Sequence, residues 1–520
     1  MNIAQLLCDQ AYSRPQAVAL VDSSGRRERR VTFAGLEEAA TRAAALLQAR
    51  GLGFGDPILI FHPMSADLYI ALGAIFRLGL VALFVDPSLG KEHIERCCEL
   101  VPPRALLASP KAHLLRLTSP AIRRIPVKFA TGRWVPGAVA WPQYQDQIPL
   151  TNIKIVDATA PALITFTSGS TGRPKAAVRT HGFLRTQHQV LSANLDLGRE
   201  DFVLTTLPIF VLSHLAAGIG TLIPNVDIRH PGAVEAEPLL RQIDAAGVTC
   251  IEGSPAFVER IARTCREQGR TLEGIRRVYM GGAPVFPDLL EMTQRIAPHA
   301  RVTSVYGSTE AEPIAHVAYD ELSASDLERM VNGAGLPTGQ PVAEISVRIL
   351  PDRWGSKLES MSQSQLDEES LAAGEIGEII VGGAHVLGGY LHGHGDEENK
   401  VDIAGTIWHR TGDAGYLDEQ GRLWLLGRCA ARIEDAYGTI YPFAVESAVS
   451  KHPQVRRAAL VSRGRKRVLA VEVYEGDPGV EIREMVAWAH VDEVRILDHL
   501  PVDRRHNAKI DYAALDRLLQ

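Results

Sequence analysis

Short apolar runs alternate with segments of helical period over most of the chain. AVALVD, PILIF (57–61), ALITF (162–166), DFVLTTLP (201–208), VTCIEGSP (248–255) and RRVYMGGAP (276–284) read as strands. Helical patterns lie between them, as in Phe33–Arg50 before Gly51 and in AFVERIARTCREQ. Alternation of this kind predicts layered α/β structure with largely parallel sheets. The most apolar stretch, Leu68–Val85, contains Arg77 and two glycines and is followed by DPS, so it predicts a buried helix leading into a buried strand, not a membrane span. Residues 353–374 are polar and Ser/Glu-rich and predict an exposed insertion between two strands. A boundary is placed near 428–435. The residues after it have their own short strands and helices, as a small α+β domain would. No fixed-period repeat is present.

Length and composition narrow the class. At about 150 residues per domain, 520 residues correspond to three or four domain-sized units. With 46% hydrophobic and 22% charged residues the chain can bury a large core. A net charge of −6 argues against a dedicated nucleic-acid binder. The six cysteines (Cys8, Cys97, Cys98, Cys250, Cys265, Cys429) show no CxxC spacing and read as reduced thiols in a cytoplasmic protein. The N-terminus lacks the basic and apolar regions of a signal peptide.

Candidate chemistry begins directly after ALITF, with Thr167-Ser168-Gly169-Ser170-Thr171-Gly172-Arg173-Pro174-Lys175. Glycines let backbone N–H groups approach oxyanions, hydroxyls donate further hydrogen bonds, and Lys175 adds charge. The Walker A pattern is absent, which removes a P-loop ATPase or kinase reading. A serine hydrolase using Ser254 of GSP lacks the GxSxG elbow.

The loop resembles the phosphate loop of the adenylate-forming superfamily, which includes acyl-CoA synthetases, nonribosomal-peptide adenylation domains and luciferases. Further motifs follow in the family's order: YGSTE at Tyr306–Glu310, GEIGEIIVGG (374–383) and GGY (388–390) before TGD, Thr411-Gly412-Asp413 with GYLDEQGRLWLLGR (415–428), and Lys509 in PVDRRHNAKID. The resemblance covers the chain from about residue 10 to the end. It implies a large AMP-binding N-terminal domain (1–429) and a small mobile α+β C-terminal domain (430–520).

The resemblance also implies roles. Activation of a carboxylic acid brings two anions together at the α-phosphorus of ATP, so cations and a metal are needed. Glu310 resembles the Mg²⁺ ligand. Thr309 and Thr167 correspond to residues bonding phosphate oxygens, together with Ser168, Gly169, Ser170, Thr171, Gly172 and Lys175. Tyr306 resembles the residue that stacks on adenine, flanked by Ser304, Gly307 and Ser308. The turn at 281–284, with Gly282 and Ala283, resembles the wall between adenine and acyl sites; an ordinary tight turn reads almost equally well. Asp413 resembles the acceptor of both ribose hydroxyls, and Arg428 the arginine at the domain junction. Lys509 resembles the lysine that bridges carboxylate and α-phosphate. ATP and Mg²⁺ are the implied cofactors and a small carboxylic acid the substrate, with pathway enzymes as partners and neither nucleic acid nor a transmembrane segment involved.

Departures from the family pattern point to one branch. Lys509 follows Ala508 where glycine is usual, Ala430 stands at the hinge, Leu425 and Leu426 replace an aromatic, Ala444 replaces an acid in Pro442–Glu446, and the histidine of the PxFH region is displaced to His214. The adenylation half is intact and the half that hands the acyl group to a thiol is altered. The VDRRHNAKI and LPIFVLSHLAAG segments are similar to olefin β-lactone synthetases, which implies adenylation of a fatty β-hydroxy acid and closure by its own hydroxyl. His214 and His181 are the candidate bases; each is also a candidate structural histidine. The alternatives are a ligase forming a thioester with coenzyme A or an acyl carrier protein and, in another class, a non-catalytic nucleotide-binding protein.

Overall fold

The computed structural model describes residues 2–24, 28–168, 174–502 and 510–519. The chain divides into two compact units. The first comprises Met1–Asn225, Ala245–Val248 and Leu387–Asp396, and the second Val226–Asp244, Thr249–Val386 and Glu397–Gln520.

In the first unit a seven-stranded sheet runs in the order 139–140, 127–130, 105–108, 57–61, 81–84, 161–168, 174–180. Its pairs are parallel except the last. The strand carrying ALITF (Pro161–Ser168) turns back as an antiparallel hairpin onto Pro174–Thr180, with Thr167 opposite Lys175. The phosphate-loop sequence therefore begins on one of two antiparallel neighbours and ends on the other. Strands Val18–Asp22 and Phe202–Thr205 flank Gly220–Ile223, both in parallel.

The apolar stretch forms helix Ala66–Leu78, capped by Ser65 at its start and by left-handed Gly79 (φ 67°) at its end, then strand Val81–Phe84. Every helix residue but Asp67 is buried. Buried Arg77 is accommodated because it donates to Glu37 and, at 2.5 Å, to the Thr151 carbonyl. Among the described residues no helix is long and apolar enough to cross a membrane.

In the second unit, Cys250–Gly253, Arg277–Met280 and Arg301–Ser308 pair in parallel. From Arg301–Ser308 onward the pairing is antiparallel, through 311–318, 336–341, 423–428, 406–417, 377–383 and 345–350. Along this run of strands the parallel pairs lie in the βα-repeating part, where helices such as Pro255–Glu267 supply the crossovers. The insertion 353–374 does lie between two strands, but it is only partly exposed. Its helix Gln363–Glu369 carries a capping box and buries Leu366, while Leu358 packs with Ile380 and Trp408.

After Arg428, helix Pro442–Val449 packs on a three-stranded sheet (455–463, 466–473, 493–497). These elements share a core around Val445, Leu460, Leu469, Ile482 and Val486. The architecture is a large mixed α/β sheet structure followed by a smaller C-terminal α+β region.

Candidate active site

Tyr306, Ser308, Glu310, Thr411, Asp413 and Arg428 are drawn together in the second unit by sheet register. Strand Arg301–Ser308 bends into a tight hairpin, with a register shift between Tyr306 and Ser308. Gly307 sits close to the returning strand there: a Cβ on it would lie 3.1 Å from the Ala311 carbonyl oxygen, a tight contact. Ser308 Oγ accepts from the backbone N–H groups of Glu310 and Ala311, each at 3.2 Å, and fixes the turn that presents Thr309 and Glu310. Ser304 is buried opposite Met280, so the turn at Gly282 (φ 82°) and Ala283 sits at the same end of the sheet. A Cβ on Gly281 would lie 3.0 Å from the Val305 carbonyl oxygen.

The second wall is strand Thr406–Leu417, in which His409, Thr411 and Asp413 share a face by the period of two. Arg410 on the opposite face is fully buried and grips Glu378 of the GEIGE run with two hydrogen bonds, 2.9 Å from Nε and 2.6 Å from a terminal nitrogen. Burial pushes the Glu378 carboxyl above its usual range, against the pull of Arg410. Thr411 Oγ1 donates to the Ile379 carbonyl at 2.8 Å and accepts from Asp413 N–H at 3.0 Å. The residues before Asp413 thus clamp its strand and leave its carboxylate to face outward.

That carboxylate is held on both oxygens. The Tyr306 hydroxyl donates to Oδ2 at 2.7 Å, and Arg428 Nε lies 3.2 Å from Oδ1. Arg428 is the register partner of Asp413 across the sheet and also donates to the Thr411 carbonyl at 3.0 Å. Burial, then the neighbouring Asp413 charge, pushes the Tyr306 phenol well above its ordinary value, so it stays a donor. Asp413 raises Arg428 in turn.

Glu310 is buried, at 9% exposure. Its charge acts on Arg428 and on His409. His409 is pushed to about 3 by burial first and by Lys400 second, with Glu310 opposing, and its Nδ1–H donates to the Asn399 carbonyl at 3.0 Å. A buried carboxylate is a hard oxygen donor of the kind Mg²⁺ takes. Sequence reasoning missed His409 and Lys400, although the alternation back from Asp413 marks His409 as a same-face residue.

Lys175, Tyr390 and Asp396 lie in the first unit. Lys175 is buried, its ammonium 5.8 Å from the centre of the Tyr390 ring. Tyr390 is held by its backbone N–H, which donates to Asp396 at 2.8 Å. A Cβ on Gly395 would strike the Lys175 chain, so this glycine makes room for it. The GGY run is thereby linked to the phosphate-loop lysine. Gly169, Ser170, Thr171, Gly172 and Lys509 lie outside the described residues, as do the side chains of Thr167 and Ser168.

The two candidate bases are both interior. His181 is fully buried, accepts from Ile3 N–H at 3.2 Å and packs edge-on to Phe76. Burial pushes it down to about 4, so it is neutral and weakly basic. His214, 2% exposed, is hydrogen-bonded through Nδ1 to Thr221 Oγ1 at 3.2 Å.

The altered positions have packing reasons. Ala444, 2% exposed, lies in a cluster with Trp424, Leu426, Cys429 and Tyr441, where an acid would be desolvated. Leu425 and Leu426 are buried as well.

In the second unit, then, the buried acid of the YGSTE turn lies on the same sheet as the TGD carboxylate that Tyr306 and Arg428 hold. The model of the AMP-binding enzyme family matches residues 7–391, and the chain belongs to that family as an adenylate-forming ligase. It is 32% identical to the olefin beta-lactone synthetase of Xanthomonas campestris pv. campestris over 98% of this chain and 96% of that protein. Identity to the olefin beta-lactone synthetase of Stenotrophomonas maltophilia is 31%, with the same coverage of both. The solved structure of the anthranilate CoA ligase AuaEII in complex with anthranoyl-AMP superposes with a TM-score of 0.82, at 17% identity, over 100% of this chain and 97% of that one. Members of the family use ATP and form acyl-adenylates.

Proposed function

We propose that this enzyme converts a β-hydroxy fatty acid into a β-lactone, releasing AMP and pyrophosphate. The observation that carries this reading is the end-to-end similarity to two olefin beta-lactone synthetases. Burial of Ala444 in a closed apolar cluster supports it, since an acid near an acceptor's entry has no place there.

In the first step a carboxylate oxygen attacks the α-phosphorus of ATP and pyrophosphate leaves. Asp413 accepts the ribose hydroxyls, with Tyr306 and Arg428 shifting their hydrogen bonds to admit them. Tyr306 stacks on adenine, and the 281–284 turn separates adenine from acyl group. Lys175, Thr309 and the 167–172 loop bind phosphate oxygens. Glu310 holds Mg²⁺, which neutralises phosphate charge when bound. Residues 430–520 act as a small mobile domain that delivers Lys509 to the two anions.

In the second step the 3-hydroxyl oxygen attacks the activated carbonyl carbon. The acyl–phosphate C–O bond breaks, AMP leaves, and the hydroxyl proton passes to a base. Tethering of the nucleophile removes the need to capture a second substrate. His214 and His181 are the candidate bases, and burial makes His181 a poor proton acceptor. Six free thiols suit a reducing, cytoplasmic setting.

Acid-dependent exchange of labelled pyrophosphate into ATP tests the first step. A 3-hydroxy fatty acid should support it without any thiol, and complete absence of exchange with any acid would leave only nucleotide binding.

A further inference from the structure

Between Glu99 and Asp146 the chain contains no acidic residue and seven cations: Arg104, Lys111, Arg116, Arg123, Arg124, Lys128 and Arg133. The whole chain carries −6, so this run is a local reversal of sign. Large apolar side chains are exposed within it. Leu114 is 62% exposed, Leu117 73% and Trp134 75%.

The structure joins these into one surface of the first unit. Arg116 donates to the Pro136 carbonyl at 2.8 Å and so ties the short helix Leu115–Thr118 to the loop that carries Arg133 and Trp134. Arg123 donates to the carbonyls of Arg116 and Leu117, both at 2.9 Å, and ties the helix Pro120–Arg124 to the same place. Lys111, Arg123, Arg124 and Arg133 are exposed. Arg123 and Arg116 spend donors on backbone carbonyls, the neighbouring acid Glu95 accepts from Ser119 at 2.8 Å, and among the described residues Lys111, Arg123, Arg124 and Arg133 form no ion pair.

We infer that this face docks on an anionic membrane surface, with Leu114, Leu117 and Trp134 entering the interfacial layer and the cations meeting lipid phosphates. A protein interior offers no reason to leave a tryptophan and two leucines outside among arginines. A lipid interface accommodates both, because indole and leucine partition into the headgroup region while basic side chains gain from anionic lipid. The inference does not depend on which product the enzyme makes. It supplies a physical route by which a water-insoluble acid could reach the enzyme.

The test is sedimentation of the full-length protein with phosphatidylcholine vesicles, with and without phosphatidylglycerol, at low and raised salt. Binding is expected only with phosphatidylglycerol and should weaken with salt. R123E/R124E should lower partitioning by roughly tenfold or more. L117S/W134S should lower it while leaving thermal unfolding and pyrophosphate exchange unchanged, since both side chains are already in water. Wild-type protein that stays in the supernatant with anionic vesicles at low salt overturns the inference. So does binding that both double variants retain in full, and so does capture by polyglutamate without capture by vesicles, which would assign the face to an acidic protein.

Discussion

The hydroxyl of Tyr306 donates a 2.7 Å hydrogen bond to Asp413, across 107 residues of sequence. It joins the YGSTE and TGD motifs into one structure and fills an acceptor lone pair that a ribose diol would use. Hydrogen bonds to a charged group contribute about 1.5–3 kcal/mol. Asp413→Ala should therefore weaken ATP binding by roughly tenfold to a hundredfold, and Asp413→Asn by less, as read by calorimetric titration. Unchanged affinity in Asp413→Ala would reduce TGD to a turn.

Lys509→Ala should lower acid-dependent pyrophosphate exchange on the order of a hundredfold or more while ATP still binds. The role given to Lys509 requires a loss of rate, not of nucleotide affinity. A variant with near-normal exchange would remove the lysine from the chemistry.

The fully buried Arg410–Glu378 pair should behave asymmetrically. Glu378→Gln or Arg410→Met alone leaves one buried group without its partner and should cost about 3–5 kcal/mol in denaturant unfolding. Replacing both by apolar residues should restore much of that loss. Equal, additive losses in the two single variants and the double variant would contradict the coupling.

Much of this site was legible in the sequence because its motifs fall on strand ends and turns, where residue type is tied to geometry. Gly307 and the GEIGE run are examples: one lies where a Cβ would be tight against the Ala311 carbonyl, and the other supplies Glu378 to Arg410. The antiparallel half was not legible, because an apolar run of five or six residues does not reveal the direction of its neighbour. Nor was the partnership of Lys175 with Tyr390, which depends on a crossing of segments 215 residues apart. His409 and Lys400 escaped because a polar residue within a strand carries no motif of its own. The polar stretch 353–374 looked fully exposed because Leu358 and Leu366 are single apolar residues in hydrophilic surroundings.

Glu446 predicts a pH dependence of stability. Burial raises its carboxyl from 4.5 to about 7, although Tyr512 and the Leu460 N–H both donate to it, at 2.7 and 3.1 Å. The folded protein binds this proton more tightly than the unfolded chain. The stabilisation is therefore complete below pH 4.5 and lost as pH rises to about 7. Relative to Glu446→Gln, the wild type should lose about 3 kcal/mol between pH 4.5 and pH 7.5. A pH-independent difference between the two proteins would contradict this placement of Glu446.

The central claim is intramolecular closure of an acyl-adenylate, and product identification tests it most directly. The enzyme is supplied with ATP, Mg²⁺ and a 3-hydroxy fatty acid, without coenzyme A or carrier protein, and the extract is analysed by mass spectrometry. The account predicts a β-lactone, one water lighter than the acid, formed in step with AMP. Turnover that begins only when a thiol acceptor is added, with a thioester as the product, would contradict it.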